Sequence, residues 1–467
     1  MKVETLLNLT MTAFRQKFRE ICPEDSLADL SPHSFTHLVD IFKSAFSECG
    51  TAALKAYLES CDETDDVLPA PSGKVRFKMS SDKEYLTPFG WATVKRRLYQ
   101  ADGGGECLVP LDEKWGMTGE TLTPMVREAV HFASGHNSPI EVESILAKCA
   151  LFNPSRTAML HANSALGEVW KVHGEAIVAK VREKETIPSE TQALVVSLDG
   201  VNVLMREKGK KRGRKCKKPM ENPSEDTPTS YQNAMVGSVS LYRPPEKEEK
   251  GPQRISSRYV ARMPEEGFAD FRTALEAEVS GTAKKLPEGC HKVLLLDGGR
   301  GLWSYVMSCP VFKGYLAVVD FYHASEYLAK AAEAAYGQST YSSQGWFRRW
   351  KERLLTEGGA AGKVIRAMGY LLRGLKGERR AQILSARRFF RNNLQRMDYA
   401  WFHSRGLPVG SGVVEAACKS VVKARMCRSG MRWSKKGGET ILSLRTVIKS
   451  SRWDACWEEY QALRLAA

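Results

Sequence analysis

The sequence predicts a mixed α/β protein: a mixed sheet preceded by helical and small β-rich modules and followed by a helical block. Three observations lead there. Apolar, strand-like runs close on aspartates in SLDG (Asp199), LLDGG (Asp297) and VVDFYH (Asp320). Their order, of the β-β-β-α-β type, suits a mixed sheet better than an alternating doubly wound one. A helical and basic stretch then runs from 325 to about 400. With 467 residues, 43% of them hydrophobic and 26% charged, the chain can bury a large core, which excludes a disordered or small stapled scaffold. At about 150 residues per domain, roughly three folded units are expected.

The elements follow in order. Residues 1–70 form an N-terminal helical region, with Phe35, Leu38, Ile41, Phe42 and Phe46 near a 3.6 period. VLPAPSG breaks it. Residues 71–114 form a small β-rich module, in which KVRFKM and WATVKRRLY are expected to join through glycine-rich QADGGGEC. Residues 115–188 are helical again. SPIEVESILAKC and NPSRTAMLHANSALGEVW, with Asn153 as N-cap and Pro154 in the first helical position, give a helix-turn-helix pattern at 140–166. A DNA-reading pair and a plain packed hairpin look alike in one sequence. The core spans 189–324. Its first strand is expected to end at Asp199 and Gly200, and YQNAMVGSVSLY, RYVARM, HKVLLL and YLAVV supply the others. FADFRTALEAEVS is its amphipathic helix. The helical block covers 325–405, and 406–450 resumes with VVEAACKSVVKARM, for which Ser411 is the expected N-cap. A helical tail, 451–467, closes the chain.

Charge points to the partner. Lys plus Arg number 69 and Asp plus Glu 54, a balance of +15. Such an excess favours polyanions, by attraction and by counterion release. The cations cluster. Nine lie in 206–218 against Glu207, and seven lie between Lys419 and Lys436 with no acid. Fourteen lie between Arg348 and Arg396 against three acids, interleaved with aromatics. Nucleic acid is favoured over membrane, because no lipid-anchoring amphipathic stretch accompanies them. No apolar run reaches the roughly 20 residues of a membrane span, and the N-terminus lacks a secretory h-region. Eleven cysteines with no C-x-x-C pair fit reduced thiols in a cytoplasm and speak against a cysteine-pair zinc site.

The chemistry gathers on acids. An aspartate closing an apolar strand lies at the sheet rim, where sites of open α/β sheets form, although any one of them can instead cap a turn. Three such aspartates plus Glu415, near the start of a basic helix, offer the hard oxygens that Mg²⁺ prefers. Position does not choose between Asp297 and Asp320. Their flanks do: Gly298, Gly299 and Gly301 leave room beside Asp297, whereas Phe321, Tyr322 and His323 crowd Asp320 and offer it a histidine. GGRG lacks the spacing of a nucleotide-binding loop. Trp433, Trp453 and Trp457 read as core anchors.

Together, SLDG, LLDGGRGLW, VVDFYH and GSGVVEAACKSVVKARMCRSGMRWS resemble a DDE transposase of the Mutator-like superfamily, closest to the ISKra group of bacterial insertion sequences. The likeness covers roughly 120–450, and the last segment is its most specific part. It implies a ribonuclease H-like core with an all-helical insertion before the glutamate, and cleavage and strand transfer of DNA at element ends. By motif, Asp199, Asp297 and Glu415 would be catalytic ligands of two Mg²⁺ or Mn²⁺ ions, with Asp320 and His323 supporting as the C/D-x-x-H motif. Lys210, Lys211, Arg212 and Arg214 in the basic loop are expected to contact DNA, as are Lys419, Lys423, Arg425, Arg428 and Arg432. Relatives often carry a cysteine pair in the β-rich module; this chain does not, so no zinc is expected. The implied partners are double-stranded DNA (terminal repeats and target) and further copies of the chain, as a homodimer or higher oligomer in a bacterial cytoplasm and nucleoid. The rival readings are a non-catalytic DNA-binding regulator, as a domesticated relative, and a structure-specific nuclease.

Overall fold

The computed structural model describes residues 3–22, 32–70, 73–206, 231–246 and 251–466. The chain divides into two compact units, Met1–Val172 with Asp454–Ala467, and His173–Trp453.

The first unit opens with α1 (Val3–Ile21) and α2 (Pro32–Ser60), joined face to face by Phe14 on Phe46 and Phe18 on Phe42. An antiparallel sheet follows, of β1 (Val67–Ala70), β2 (Gly73–Thr87) and β3 (Gly90–Ala101). The expected connection of β2 to β3 through QADGGGEC is corrected here. The strands turn at Pro88 and Phe89, where Thr87 Oγ1 accepts from the Phe89 N–H at 3.1 Å and Gly90 sits at φ 125°; the glycine-rich run follows β3. Then come α3 (Pro110–Lys114), α4 (Pro124–His136), α5 (Pro139–Cys149) and α6 (Arg156–Lys184), of which α6 continues into the second unit. Val126, Val130, Val142, Met159 and Ala162 share one core across α4 to α6. Ser138 caps α5 in a capping box with Glu141. Asn153 is not the cap of α6: Ser155 Oγ accepts from the Ala158 N–H at 3.2 Å, and the helix begins at Arg156.

The second unit is built on a five-stranded sheet of β4 (Ala193–Leu204), β5 (Tyr231–Arg243), β6 (Gln253–Arg262), β7 (His291–Leu296) and β8 (Leu316–Val319). Their order is β6-β5-β4-β7-β8; the first three are antiparallel, and β7 and β8 run parallel to β4. α7 (Ala269–Ala283) connects β6 to β7, and α8 (Arg300–Ser308) connects β7 to β8. This is a mixed α/β fold with a mixed sheet, compatible with a ribonuclease H-like core. Ala193–Leu198 are all buried, as a central strand covered on both faces requires. Beyond them β4 alternates, burying Val201 and Val203 and exposing Asn202.

Helices α9 (Phe321–Tyr336), α10 (Tyr341–Thr356), α11 (Ala360–Leu371), α12 (Gly377–Asn393) and α13 (Tyr399–Ser404) form the block after β8. Leu328, Trp346, Val364, Ile383 and Phe390 extend the sheet's own core into it. The chain returns as α14 (Gly412–Ala417), a π-helical turn (Cys418–Lys423) and α15 (Ala424–Met426), then α16 (Lys435–Lys449) and α17 (Trp453–Ala466). Val414, Val421, Val422 and Leu442 form a second core with Val201, Val203 and Val236. No described helix is long and apolar enough to cross a membrane.

Candidate active site

Three aspartates lie on or just past three neighbouring strands of the sheet. Val196 pairs with Leu294, and Leu294 with Ala317. Three residues on from that register lie Asp199, Asp297 and Asp320; β7 and β8 stay paired up to Leu296 and Val319, next to Asp297 and Asp320, whereas the pairing of β4 with β7 has already stopped before Asp199. Asp297 and Asp320 directly follow β7 and β8. The expectation that the first strand ends at Asp199 and Gly200 is corrected here: β4 runs on through Leu204, paired with β5 alone once its pairing with β7 stops at Val196. The edge it leaves open is where the cleft forms.

Asp199 and Asp297 both line a cleft of about 570 Å³ that also takes in Asn233, Phe268, Arg272 and Tyr305. Both carboxylates are half-buried and each accepts from a nearby backbone N–H: Asp199 Oδ1 from Gly200 within β4 at 2.7 Å, and Asp297 Oδ1 from Gly299 after β7 at 2.9 Å. A neighbouring side chain comes close over a glycine beside each. A Cβ on Gly200 would stand 2.4 Å from the Asn233 amide, and one on Gly298 would stand 2.2 Å from the Phe389 ring. Phe389 stacks on Tyr327 at 4.0 Å, and Trp303 Nε1 donates to the Asp297 carbonyl at 2.6 Å. The turn after Asp297 is thus gripped by α8 on one side and α12 on the other.

Glu415 lies on α14, half-buried. One turn on, the Cys418 thiol donates to Asp199 Oδ2 at 3.5 Å. Burial, the Asp199 charge and, more weakly, Glu415 push that thiol up to about 12, so it stays protonated and keeps donating. The π-helical turn at Cys418 widens the helix, and Arg445 from α16 donates to the Ser420 and Val421 carbonyls there. Hard carboxylate oxygens at the cleft fit Mg²⁺ in kind. Among the described residues, no three His, Cys, Asp or Glu side chains converge as a metal-holding group.

Asp320 differs from its two neighbours. It is 0% exposed and caps α9, with Oδ1 accepting from the His323 N–H at 2.7 Å and Oδ2 from the Ser411 N–H. Phe321 N–H donates to the Val409 carbonyl at 2.9 Å. The carboxylate therefore ties the end of β8 to the loop that launches the Glu415 helix. His323 Nδ1 stands 3.9 Å from Asp320 Oδ1. Ser411 precedes α14 as expected, but its side chain makes no capping bond.

Of the basic residues after Glu415, Lys419, Lys423 and Arg432 are exposed. Arg428 is half-buried and donates Nε to the Ala424 carbonyl at 2.7 Å. Arg425 is 4% exposed and lies over the Trp433 ring at 5.1 Å, so its guanidinium is an interior group. Lys210, Lys211, Arg212 and Arg214 lie outside the described residues. Arg272, Asn233 and Tyr305 were not legible as site residues, and only the folded cleft brings them to the acids.

The fold and the acid-lined cleft together describe a mixed α/β protein with paired carboxylates at the carboxyl edge of its sheet. No protein-family profile matches the chain. No curated protein matches it. Among solved structures it is distantly similar to the Drosophila P element transposase strand transfer complex, with a TM-score of 0.26 and 11% identity over 73% of this chain and 80% of that one. A likeness that distant assigns neither fold nor function.

Proposed function

We propose that the protein is a metal-dependent DNA transposase of the DDE type, within the Mutator-like superfamily and nearest the ISKra group. It hydrolyses a phosphodiester at an element end and joins the freed 3′-hydroxyl to target DNA. The observation that carries this reading is the pair Asp199, on β4, and Asp297, just past the end of neighbouring β7, opening on one cleft of a chain with net charge +15. Asp199, Asp297 and Glu415 are the residues that would hold Mg²⁺ or Mn²⁺, two ions in all. Such ions, when bound, activate the attacking hydroxyl and stabilise the leaving oxygen. The remaining work falls to the protein. Backbone N–H groups of Gly200 and Gly299 aim the two carboxylates, and Asp320 holds the loop that starts the Glu415 helix. Exposed Lys419, Lys423 and Arg432 bind phosphates, as do the cations of the 206–218 loop. The protein acts on double-stranded DNA as a homodimer or higher oligomer, in a bacterial cytoplasm and nucleoid.

The test uses full-length protein, Mg²⁺ and duplexes taken from the DNA flanking the coding region. A 3′-hydroxyl cut at one end and a joined product are expected. Asp297→Asn should abolish both in Mg²⁺ and Mn²⁺ while leaving DNA affinity within about twofold, because the loss belongs to the reacting centre. Binding without cutting would favour a regulator, and cutting without joining a structure-specific nuclease.

A further inference from the structure

Arg272 is the one basic side chain among the described residues lining the cleft of Asp199 and Asp297. It is exposed, and no carboxylate stands within ion-pair distance of it among the described residues. Glu276, one turn on along its helix, is engaged elsewhere, accepting from the Tyr305 hydroxyl at 2.8 Å. The guanidinium instead lies over the Tyr305 ring, 4.6 Å from its centroid. The tyrosine hydroxyl thus occupies the acid, and the tyrosine ring supports the cation. What remains is a planar fork of donors, held in place and open to the cleft.

A phosphodiester approaching two carboxylates meets repulsion from both. A cation lining the same cleft offsets it, and a guanidinium does so with paired hydrogen bonds to two phosphate oxygens. The cleft's other polar side chains suit the sugar-phosphate: Asn202 and Asn233 offer neutral amides, and Asn233 lies directly over Gly200 beside Asp199. We propose that Arg272 grips a phosphate of the cleaved DNA strand next to the scissile one, with Tyr305 as its positioning residue. This rests on the reading of the protein as a DNA-cutting enzyme and names the group that seats the strand in that site.

Two measurements on the full-length protein test it. In the first, duplexes from the flanking DNA carry a single neutral methylphosphonate at each phosphate near the cut, and cleavage in Mg²⁺ is compared for wild type, R272A and R272K. One position should cost wild type about 10- to 100-fold, and R272A should lose about as much on unmodified DNA, as expected for one charge-assisted contact. At that position R272A should suffer no further loss, and R272K should fall between. Losses that simply multiply at every position, or R272A cutting within about threefold of wild type, would overturn the proposal. In the second, the slope of log affinity against log salt is measured in Ca²⁺. It should flatten by about 0.9 in R272A, and an unchanged slope overturns the proposal even where no variant cuts. If wild type fails to cut while the slope still flattens, the enzyme reading fails and the phosphate contact stands. Y305L, which removes both ring and hydroxyl, should mimic R272A in part; Y305F, which keeps the ring under Arg272 but frees Glu276 to pair with it, should lose less than Y305L and more than wild type.

Discussion

Asp297 and Asp320 follow neighbouring strands at the same register, yet their surroundings separate their roles. Asp297 faces an open cleft and spends one oxygen on the Gly299 N–H, so an amide in its place changes charge and little else. Asp320 spends both oxygens on backbone N–H groups in a fully buried setting. Replacing it by asparagine turns an NH₂ toward one of those donors. Asp320→Asn should therefore cost about 1–3 kcal/mol of stability, read as a lowered melting temperature, and should keep measurable cleavage below it. Asp297→Asn should melt with wild type. If Asp320→Asn melts normally and is dead, Asp320 acts in the chemistry and the latch is not its role. These acids were legible in the sequence because each closes an apolar run. Arg272 was not, because in FADFRTALEAEVS an arginine four residues before Glu276 reads as an ordinary helix charge pair. Only the fold shows Glu276 taken by Tyr305.

Elements were legible where one period held and illegible where punctuation misled. Gly200 after Asp199 reads as a strand end. It is instead the point where the Asn233 amide crosses the strand, and the alternation of Val201 and Val203 carries β4 onward. The glycines of QADGGGEC drew the hairpin turn to themselves, while a proline and a phenylalanine make the tight turn. Asn153 and Pro154 form a start signal two residues early, because Ser155 is the side chain that reaches an open N–H. Gly298 was read as open space. It is a contact, since the helical block places Phe389 against it. That packing makes α12 a clamp on the turn after Asp297. Gly298→Ala should lower cleavage by about tenfold or more, as small displacements of reacting groups do, with DNA binding retained. Pairing it with Phe389→Leu should recover much of the rate by removing the ring edge. No recovery would mean that the turn, and not the clamp, sets the position of Asp297.

At the scale of the whole molecule, a buried ionic network in the second unit and a buried histidine in the first respond to acid in different windows. In the second unit Glu278 and Glu185 bind Arg452, with Arg182 also on Glu278. Burial alone would lift the Glu278 carboxyl, but the two guanidiniums hold it below its ordinary value. Its contribution is present above pH 4.5 and is lost only as pH falls below that. In the first unit His131 on α4 is fully buried, with Nδ1 2.9 Å from Asn163 Oδ1 and its ring 5.8 Å from that of Trp457. Burial, aided by the Arg127 and Arg464 charges, lowers its pKa from 6.5 to about 4, so the folded protein holds it neutral.

An unfolded histidine takes up a proton near pH 6.5, and the folded one does not until about pH 4. Between those values the unfolded state binds more protons, so stability present above pH 6.5 drains away as pH falls. Between pH 7 and 5 the loss should be on the order of 2 kcal/mol, before Glu278 begins to titrate. Glu113 in the same unit, lifted by burial, works in the opposite sense and reduces the visible effect. The comparison that isolates His131 is therefore between variants: His131→Gln can still bond Asn163 but cannot take up a proton. Hydrogen exchange of α4 and α6 should accelerate from pH 7 to 5 in wild type, after correction for intrinsic rates, and hold steady in His131→Gln. Equal acceleration in both proteins would assign the acid sensitivity to another group and leave His131 a neutral packing residue.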